Sequence, residues 1–435
     1  MHVLVLGINY WPEETGIGPC TTGLCEYLAG RGHRVTMVTG LPYYPEWRVP
    51  RMYRRQLSGR ETRNGVTIFR SWLYVPRRVT PRRRILHEAS FIGSATMRIF
   101  SQLAKNRPDL LCVISPPLGL NLSAIMLSRI WKIPFVTQVE DLQPDAAMDL
   151  GMLKAGRLTR MLLKIERTAY DHAALITTLT PGMRARILAK GVPTHKVATI
   201  AHSVDPACFA IPLVSDGAAV RRRFGLSGKF LVVHSGNMGV KQGLEVILEA
   251  AQRSRRHADL VYLLVGDGAV RESLHQRAAQ LGLNNVRFMP VQPREVFHEL
   301  MATTNVALIT QQRTVADIVF PSKTQTLLAS GRPVVASVNP GSEVAKAVRE
   351  ANAGLVIAPE DPDALLEAVI NLRDDSARRL TMGRKGREYA RVHWDRDRLF
   401  GLMEERLCDL VGVPLQPAPR DRDVLDETAA ERLKA

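Results

Sequence analysis

Cysteine is scarce in this chain: five residues in 435, at Cys20, Cys25, Cys112, Cys208 and Cys408. They form no CxxC pair and no zinc-ligand spacing. That excludes a disulfide scaffold and a zinc module, and reads as reduced thiols in a cytoplasmic protein. Long apolar runs are also missing. The opening MHVLVLGINYW lacks a basic leader and its apolar stretch has strand length, so no secretory signal is expected. The best candidate for a membrane span, residues 118–131, is too short and is interrupted by Asn121, Ser123, Ser128 and Arg129. It reads as a packed or amphipathic helix. No helix-turn-helix, finger or RNA-recognition signature is present.

What is present points to two domains. The length exceeds the roughly 250–300 residues at which one hydrophobic core stops growing. A composition of 46% hydrophobic and 23% charged residues is an ordinary globular balance. Strand-like runs recur, each followed by a helical pattern. HVLVLG, RVTMVTG, VTIFRSW, LLCVIS, PFVTQVED, ALITTLT and KVATIAHSVD lie in the first half. FLVVHSG, VYLLVGDG, NVRFMPV, VALITQ and RPVVASV lie in the second. This alternation predicts βαβ units and parallel sheets. Each half restarts with an apolar strand that opens into a glycine turn, which predicts two doubly wound, Rossmann-like α/β domains. Pro206, Pro212, Ser215, Asp216 and Gly217 punctuate a boundary that no periodicity crosses. The expected divisions are 1–205, 206–392, an amphipathic helix over 393–411 and a mobile charged tail over 412–435.

The formal charge of +17 is unevenly spread. Residues 48–84 hold a run of arginines that ends in Arg77, Arg78, Arg82, Arg83 and Arg84, with Glu61 the only acid among them. Tyr53, Phe69, Trp72 and Tyr74 interleave. Arginines beside aromatics suit anionic lipid headgroups or nucleic acid; a plain solvated face is the bland alternative.

Ligands of open α/β sheets lie beyond the carboxyl ends of the strands, and three places in the second half fit that rule. The first is FLVVHSGNMGVKQGLEVILEAA, which matches neither GxxxxGK[ST] nor GxGxxG. It leaves a nest of backbone amides around Gly236, Gly239 and Gly243, with Asn237 and Lys241 as side-chain donors suited to a pyrophosphate. The second is VGDGAVRESL, where Gly266 and Asp267 make a tight turn that can be purely structural. The third is VFPSKTQTLLASGRPVVAS: Pro321 suits a first helical turn, Ser322 offers a cap and Lys323 sets a cation beside free amides. Two lysines at strand ends of one domain can clamp a diphosphate without a metal. In the first half, Gly16 and Gly18 form a flexible loop before a helix, and VTQVEDLQPDAA ends a strand in Glu140 and Asp141. A carboxylate there can bind sugar hydroxyls, accept a proton or simply cap a helix.

Taken together, GINYWPEETGIG, GLPYYPEW, VEDLQPDAA, GNMGVKQGL, VGDG and FPSKTQTLLASGRPVV resemble the bacterial family 4 glycosyltransferases. They are most similar to the branch that builds exopolysaccharides such as colanic acid, with fucosyltransferase-like and N-acetylfucosaminyltransferase-like members. The six motifs fall in order from residue 1 to about residue 411. The resemblance implies a two-Rossmann (GT-B) fold with an interdomain cleft and a C-terminal helix that crosses back to the first domain. It also implies metal-free transfer of a sugar from a nucleoside diphosphate donor, GDP- or UDP-linked, with retention at the anomeric carbon and no cofactor. Lys241 would then hold the diphosphate, with Lys323 and Ser322 on its other side and Gly266 and Asp267 near the nucleoside. The Gly16–Gly18 loop would close over the donor phosphate or the acceptor, and Asp141 would help to position substrate. Where the wider family has an arginine in the phosphate loop, this chain has Asn237. The usual pair of glutamates eight positions apart is not evident; Thr326 takes the ribose-binding position and Asp317 is the nearest acid for the sugar.

The expected acceptor is a saccharide on a polyprenyl diphosphate. The arginine-rich segment would rest on the inner leaflet, making the protein cytoplasmic and peripheral on the cell membrane. Two other readings compete: a nucleotide-sugar 2-epimerase of the same fold, and a non-enzymatic basic protein that binds membrane or nucleic acid. Against nucleic acid, the basic residues cluster in one half while the phosphate-type turns lie in the other.

Overall fold

The computed structural model describes residues 1–54, 56–149, 156–214, 217–314 and 322–415. Among these residues the chain forms two Rossmann-like α/β domains, each built on its own sheet. The first domain's strands are β1 (His2–Leu6), β2 (Arg34–Gly40), β3 (Ser58–Arg63), β4 (Val66–Ser71), β5 (Leu110–Ser115), β6 (Phe135–Val139), β7 (Leu175–Thr178) and β8 (Val197–Thr199). Its helices are α1 (Gly18–Gly30), α2 (Pro81–Leu103), α3 (Leu120–Trp131), α4 (Gln143–Asp149), α5 (Arg157–His172) and α6 (Pro181–Ala189). The second domain has strands β9 (Phe230–Ser235), β10 (Leu260–Val265), β11 (Val286–Met289), β12 (Val306–Thr310), β13 (Val334–Ser337) and β14 (Gly354–Ile357). The helices that follow are α7 (Ala218–Arg223), α8 (Glu245–Arg253), α9 (Arg271–Gln280), α10 (Arg294–Thr303), α11 (Ser322–Ala329), α12 (Glu343–Glu350), α13 (Pro362–Asp374), α14 (Ser376–Trp394) and α15 (Arg396–Val411).

The first sheet runs β3-β4-β2-β1-β5-β6-β7-β8, parallel except for the β3–β4 hairpin; the second runs β11-β10-β9-β12-β13-β14, parallel throughout. Parallel strands covered by helices on both faces bury every residue, and β5 (LLCVIS), β9 (FLVVHS) and β10 (LVYLLV) do so along their whole length. In both sheets the chain reverses direction across the strand order beside the first strand, β1 or β9, so the two switch points open toward one crevice.

The arginine-rich segment is not one surface. Arg70 on β4 is fully buried. Its guanidinium meets Glu61 across the hairpin at 3.1 Å and donates to the carbonyl of Trp11 at 2.5 Å. A buried guanidinium is tolerable only when its donors are matched in this way. Arg63 pairs with Glu26 at 2.9 Å. The expectation that the whole segment lies on a membrane is therefore corrected: β3 and β4 are an edge hairpin, with Arg70 as its internal tie.

Helix α15 ends the described chain on the first domain. Phe400, Met403 and Leu407 share a core with Leu24, Leu28 and Val3. Beside them the buried Glu404 carboxylate meets Arg31 at 3.1 Å and His33 at 2.9 Å. Asp395 breaks α14 from α15 by capping the latter through Arg398 N. At that break the carbonyl of Trp394 accepts from Val204 N at 3.0 Å, so the two interdomain crossings run side by side. Among the described residues no helix is long and apolar enough to cross a membrane.

Candidate active site

The second domain's wall of the crevice is made of backbone. After β9 the chain turns at Gly236 (φ +126°), makes a short helical turn over Val240–Gln242, turns again at Gly243 (φ +55°) and enters α8. After β10 it turns at Gly266 (φ +144°) and Gly268 (φ +154°). The two turns interlock: Met238 N donates to Asp267 O at 2.8 Å and Val270 N to Met238 O at 3.0 Å. A Cβ at position 266 would lie 2.0 Å from Gly236 O, and one at 268 would lie 2.4 Å from Met238 O. Only glycine permits both the left-handed backbone and the approach. The Gly266–Asp267 turn, expected near a nucleoside, is thus first of all the brace of the Gly236 turn. Asn237 sits in the same joint, its Oδ1 2.6 Å from where a Cβ at 268 would stand. Gly239 is hemmed in by Gln242 and Asn237.

Both lysines border this turn. Lys241 lies within it, half-buried, its backbone pinned by Gln312 N donating to its carbonyl at 2.9 Å. Lys323 reaches it from the first turn of α11, its Cδ 3.9 Å from where a Cβ on Gly236 would stand. The Lys323 ammonium is buried and has no hydrogen-bond partner among the described residues. Burial pushes it down to about 8. Beneath it His234, the penultimate residue of β9, is held neutral, well below its ordinary value, by burial and then by the Lys323 charge. A buried cation with no counterion is unfavourable unless an anion completes it.

The first domain's wall is made of side chains. Asp141 follows β6; burial raises its carboxyl, while Lys241 from the other domain and Arg84 from α2 pull it back down. The charges of Asp141 and Lys241 therefore act on each other across the domain boundary. Asp141 Oδ1 has no hydrogen-bond partner among the described residues and borders a small internal cavity with Ser115, Asn121, Thr137, Glu166 and Tyr170. The helix behind it is anchored by Lys190, which meets Asp145 at 2.5 Å and Glu166 at 2.6 Å.

The loop that carries Gly16 and Gly18 hangs on Glu13, a residue the sequence reading passed over. Its buried carboxylate accepts from Tyr43 N and Tyr44 N, both at 2.9 Å, and from Asn9 Nδ2 at 2.8 Å. Burial raises this carboxyl and those donors oppose the rise. Gly16 (φ +71°) lies against the Tyr44 ring, 3.1 Å from where its Cβ would be, and Gly18 opens α1. The available signal was an acid directly before a glycine loop, in PEETG.

The remaining expected residues divide. Arg77, Arg78, Arg82 and Arg83 are exposed at the tip where Thr80 caps α2, beside exposed Val79, Ile85 and Leu86. Arg84, grouped with them by sequence, also acts on Asp141. Ser322 is the first residue of α11, and Thr326 lies on the same helix, half-buried. Asp317 and Pro321 lie outside the described residues, as does most of the tail. Among the described residues one trio, Asp205, Cys208 and His298, has metal-ligand proximity. Asp205 spends Oδ1 on Ala207 N at 3.0 Å and Oδ2 on Arg294, and the Cys208 thiol is pushed up to about 12 by burial, so the trio does not fit a metal.

Two family models match the chain: a Glycosyl transferase 4-like domain over residues 15–202 and Glycosyl transferases group 1 over residues 218–389. The protein WcaI of Escherichia coli (strain K12), named as a glycosyl transferase of colanic acid biosynthesis, is 32% identical over 375 residues. That match covers 85% of this chain and 91% of WcaI. Among solved structures, Anabaena Alr3699/HepE in complex with UDP superposes with a TM-score of 0.70 at 16% identity, covering 94% of this chain and all of that one. The sucrose-phosphate synthase of Thermosynechococcus elongatus gives 0.72 at 17% identity, covering 94% and 99%. These two show the shared fold.

Proposed function

The chain belongs to the glycosyltransferases that join a 4-like domain to a group 1 domain, and from that premise we propose the reaction it carries out. It is a retaining, metal-independent transfer of a sugar, of fucose or N-acetylfucosamine type, from a GDP- or UDP-linked donor to a lipid-linked saccharide in exopolysaccharide or O-antigen synthesis. One observation carries the reading. The Lys323 ammonium is buried against the Gly236 turn without a counterion among the described residues, Lys241 sits in that same turn, and Asp141 feels the Lys241 charge from the other domain. A diphosphate in the crevice supplies the missing negative charge. As it departs, the charge growing on it is stabilised by both lysines and by the amides of the turn, which are already in place. The acceptor hydroxyl attacks from the same face and passes its proton to the departing phosphate oxygen. Asp141 orients the substrate from the opposite wall. WcaI's name and the UDP bound by HepE support the substrate class.

The acceptor side is read from the tip of α2. Five exposed arginines, Arg77, Arg78, Arg82, Arg83 and Arg84, beside exposed Val79, Ile85 and Leu86 suit an anionic leaflet, each cation near such a surface contributing about 1 kcal/mol. The polyprenyl acceptor would be met there.

Thermal shift with GDP, UDP and dTDP tests the donor site. A nucleotide at 100 times its Kd stabilises by about 2.7 kcal/mol, and the shift is expected to survive EDTA. A flat response to all three would sink the reading.

A further inference from the structure

His202 lies outside the machinery described so far, yet pieces distant in sequence meet on it. It sits at the start of the first interdomain crossing, with its side chain 17% exposed. Its Nε2 contacts Glu140 Oε2, and the other Glu140 oxygen accepts from Gln138 Nε2 at 2.5 Å. Glu140 immediately precedes Asp141. The Cys20 thiol, in the first turn of α1 directly after the Gly16–Gly18 loop, also acts on the ring. Its backbone carbonyl accepts from Gln325 Nε2 at 2.8 Å, on α11 two residues beyond Lys323. One residue thus touches both domains and three elements of the cleft.

The electrostatics agree with a fixed pair. Burial by itself would discharge the ring, but Glu140 and Cys20 outweigh it and raise the imidazole well above 6.5, so it is a cation near neutral pH. The titratable neighbours are Glu140 at the end of β6 and Cys20 on α1; Gln138 and Gln325 are neutral. A buried ion pair adds little stability over apolar packing, and holding geometry is its best-attested use.

We propose that His202 is a positioning residue for glycosyl transfer: bound to Glu140 through its ring, with Cys20 beside it, and to Gln325 through its carbonyl, it keeps the Lys323 helix in register with the Asp141 turn and the Gly16–Gly18 loop. The proposal rests on the nucleotide-sugar reading, since it takes Lys323 and Asp141 as opposite walls of the reacting site. An occupied diphosphate site is then felt at the ring, and the ring's charge is needed to close the first domain onto the second.

The test uses the full chain as wild type, His202→Asn and Glu140→Gln, titrated with UDP and GDP. Calorimetry reads affinity, small-angle scattering reads compaction, and NMR of labelled histidine reads the ring, identified as the signal absent from His202→Asn. In the wild type an imidazolium signal should shift when nucleotide binds, and the particle should compact. Compaction should be lost as pH rises and the ring deprotonates, with affinity falling less. Both variants should keep nucleotide affinity within about threefold, since the local diphosphate contacts remain, while losing most of the compaction; in Glu140→Gln the ring should be neutral near pH 7. Nucleotide binding that leaves the ring signal unmoved, or variants that compact like wild type, would overturn the proposal and leave the donor site standing. A wild type that binds neither nucleotide overturns the reading beneath it, and this with it. Should His202→Asn fail to fold, Glu140→Gln breaks the same pair from the other side and decides by the same outcomes.

Discussion

The two walls of the cleft are built differently. On the second domain's side, shape resides in backbone: the turns at Gly236 and Gly266 interlock through main-chain hydrogen bonds and leave no room for a Cβ at position 266 or 268. On the first domain's side, shape resides in side chains: Glu13 from the loop before α1 holds Tyr43 N and Tyr44 N, and Asp141 after β6 feels the charge of Arg84 from α2. The two lysines, both on the second domain's side, differ too: Lys241 is half-exposed in a loop and the Lys323 ammonium is buried with no partner among the described residues. A wall of backbone turns is a local matter, whereas a wall of side chains exists only once the sheet has brought its strand ends together.

The contrast is sharpest at the two lysines. Lys241→Ala should lower turnover by ~10²–10³, the usual effect of one lost charge-stabilising donor, with little change in melting temperature. Lys323→Met should lower turnover comparably yet raise the melting temperature without nucleotide, because it removes a buried ammonium that has no partner among the described residues. The gap between about 8 and the ordinary 10.5 corresponds to on the order of 3 kcal/mol. The sign follows from proton binding. The unfolded chain holds this proton up to 10.5 and the folded chain only to about 8, so the penalty is full below about 8 and fades as pH rises toward 10.5. Denaturant melts of wild type and variant across that interval measure it; a gain that stays constant into alkaline pH would show that Lys323 is not the strained group.

Glycine substitutions compare the walls directly. Gly266→Ala drives a methyl to 2.0 Å from Gly236 O and should cost about 2–4 kcal/mol in urea denaturation, along with the nucleotide-induced thermal shift. Gly18→Ala, whose methyl would stand 3.1 Å from Glu13 O without left-handed backbone, should cost no more than about 1 kcal/mol. Equal losses would erase the distinction. The smallest effect belongs to the tip of α2. Arg82→Glu with Arg83→Glu should reduce recovery on anionic liposomes in flotation, at about 1 kcal/mol per cation removed, and leave nucleotide binding unchanged. Wild-type recovery that is the same with and without anionic lipid would remove the docking surface from the account.

Much of the fold was legible because parallel strands buried on both faces leave continuous apolar runs, such as LLCVIS and LVYLLV. The strands that escaped notice are those that break this rule. β3, SGRETR, is a polar antiparallel edge, and β14, GLVI, is short and only half-buried. Arg70 shows the limit from the other side. It stands in a run of arginines that looks uniformly exposed, yet a hairpin partner and the Trp11 carbonyl make it core. Glu13 and His202 were illegible as site residues for the same reason: their partners lie some 30 and 62 positions away.

What the sequence by itself determined is everything that depends on neighbours along the chain. That covers the alternation of strand and helix, the two restarts, the glycine turns that follow β9 and β10, and the lysine set within the first of them. Only tertiary structure decided which charges meet. It buried the Lys323 ammonium against Gly236, brought Asp141 within reach of the Lys241 and Arg84 charges, and turned Arg70 inward. The physical reason is range: backbone conformation is chosen within a few residues, while the fate of a charge depends on the partners and the solvent that the finished fold leaves beside it.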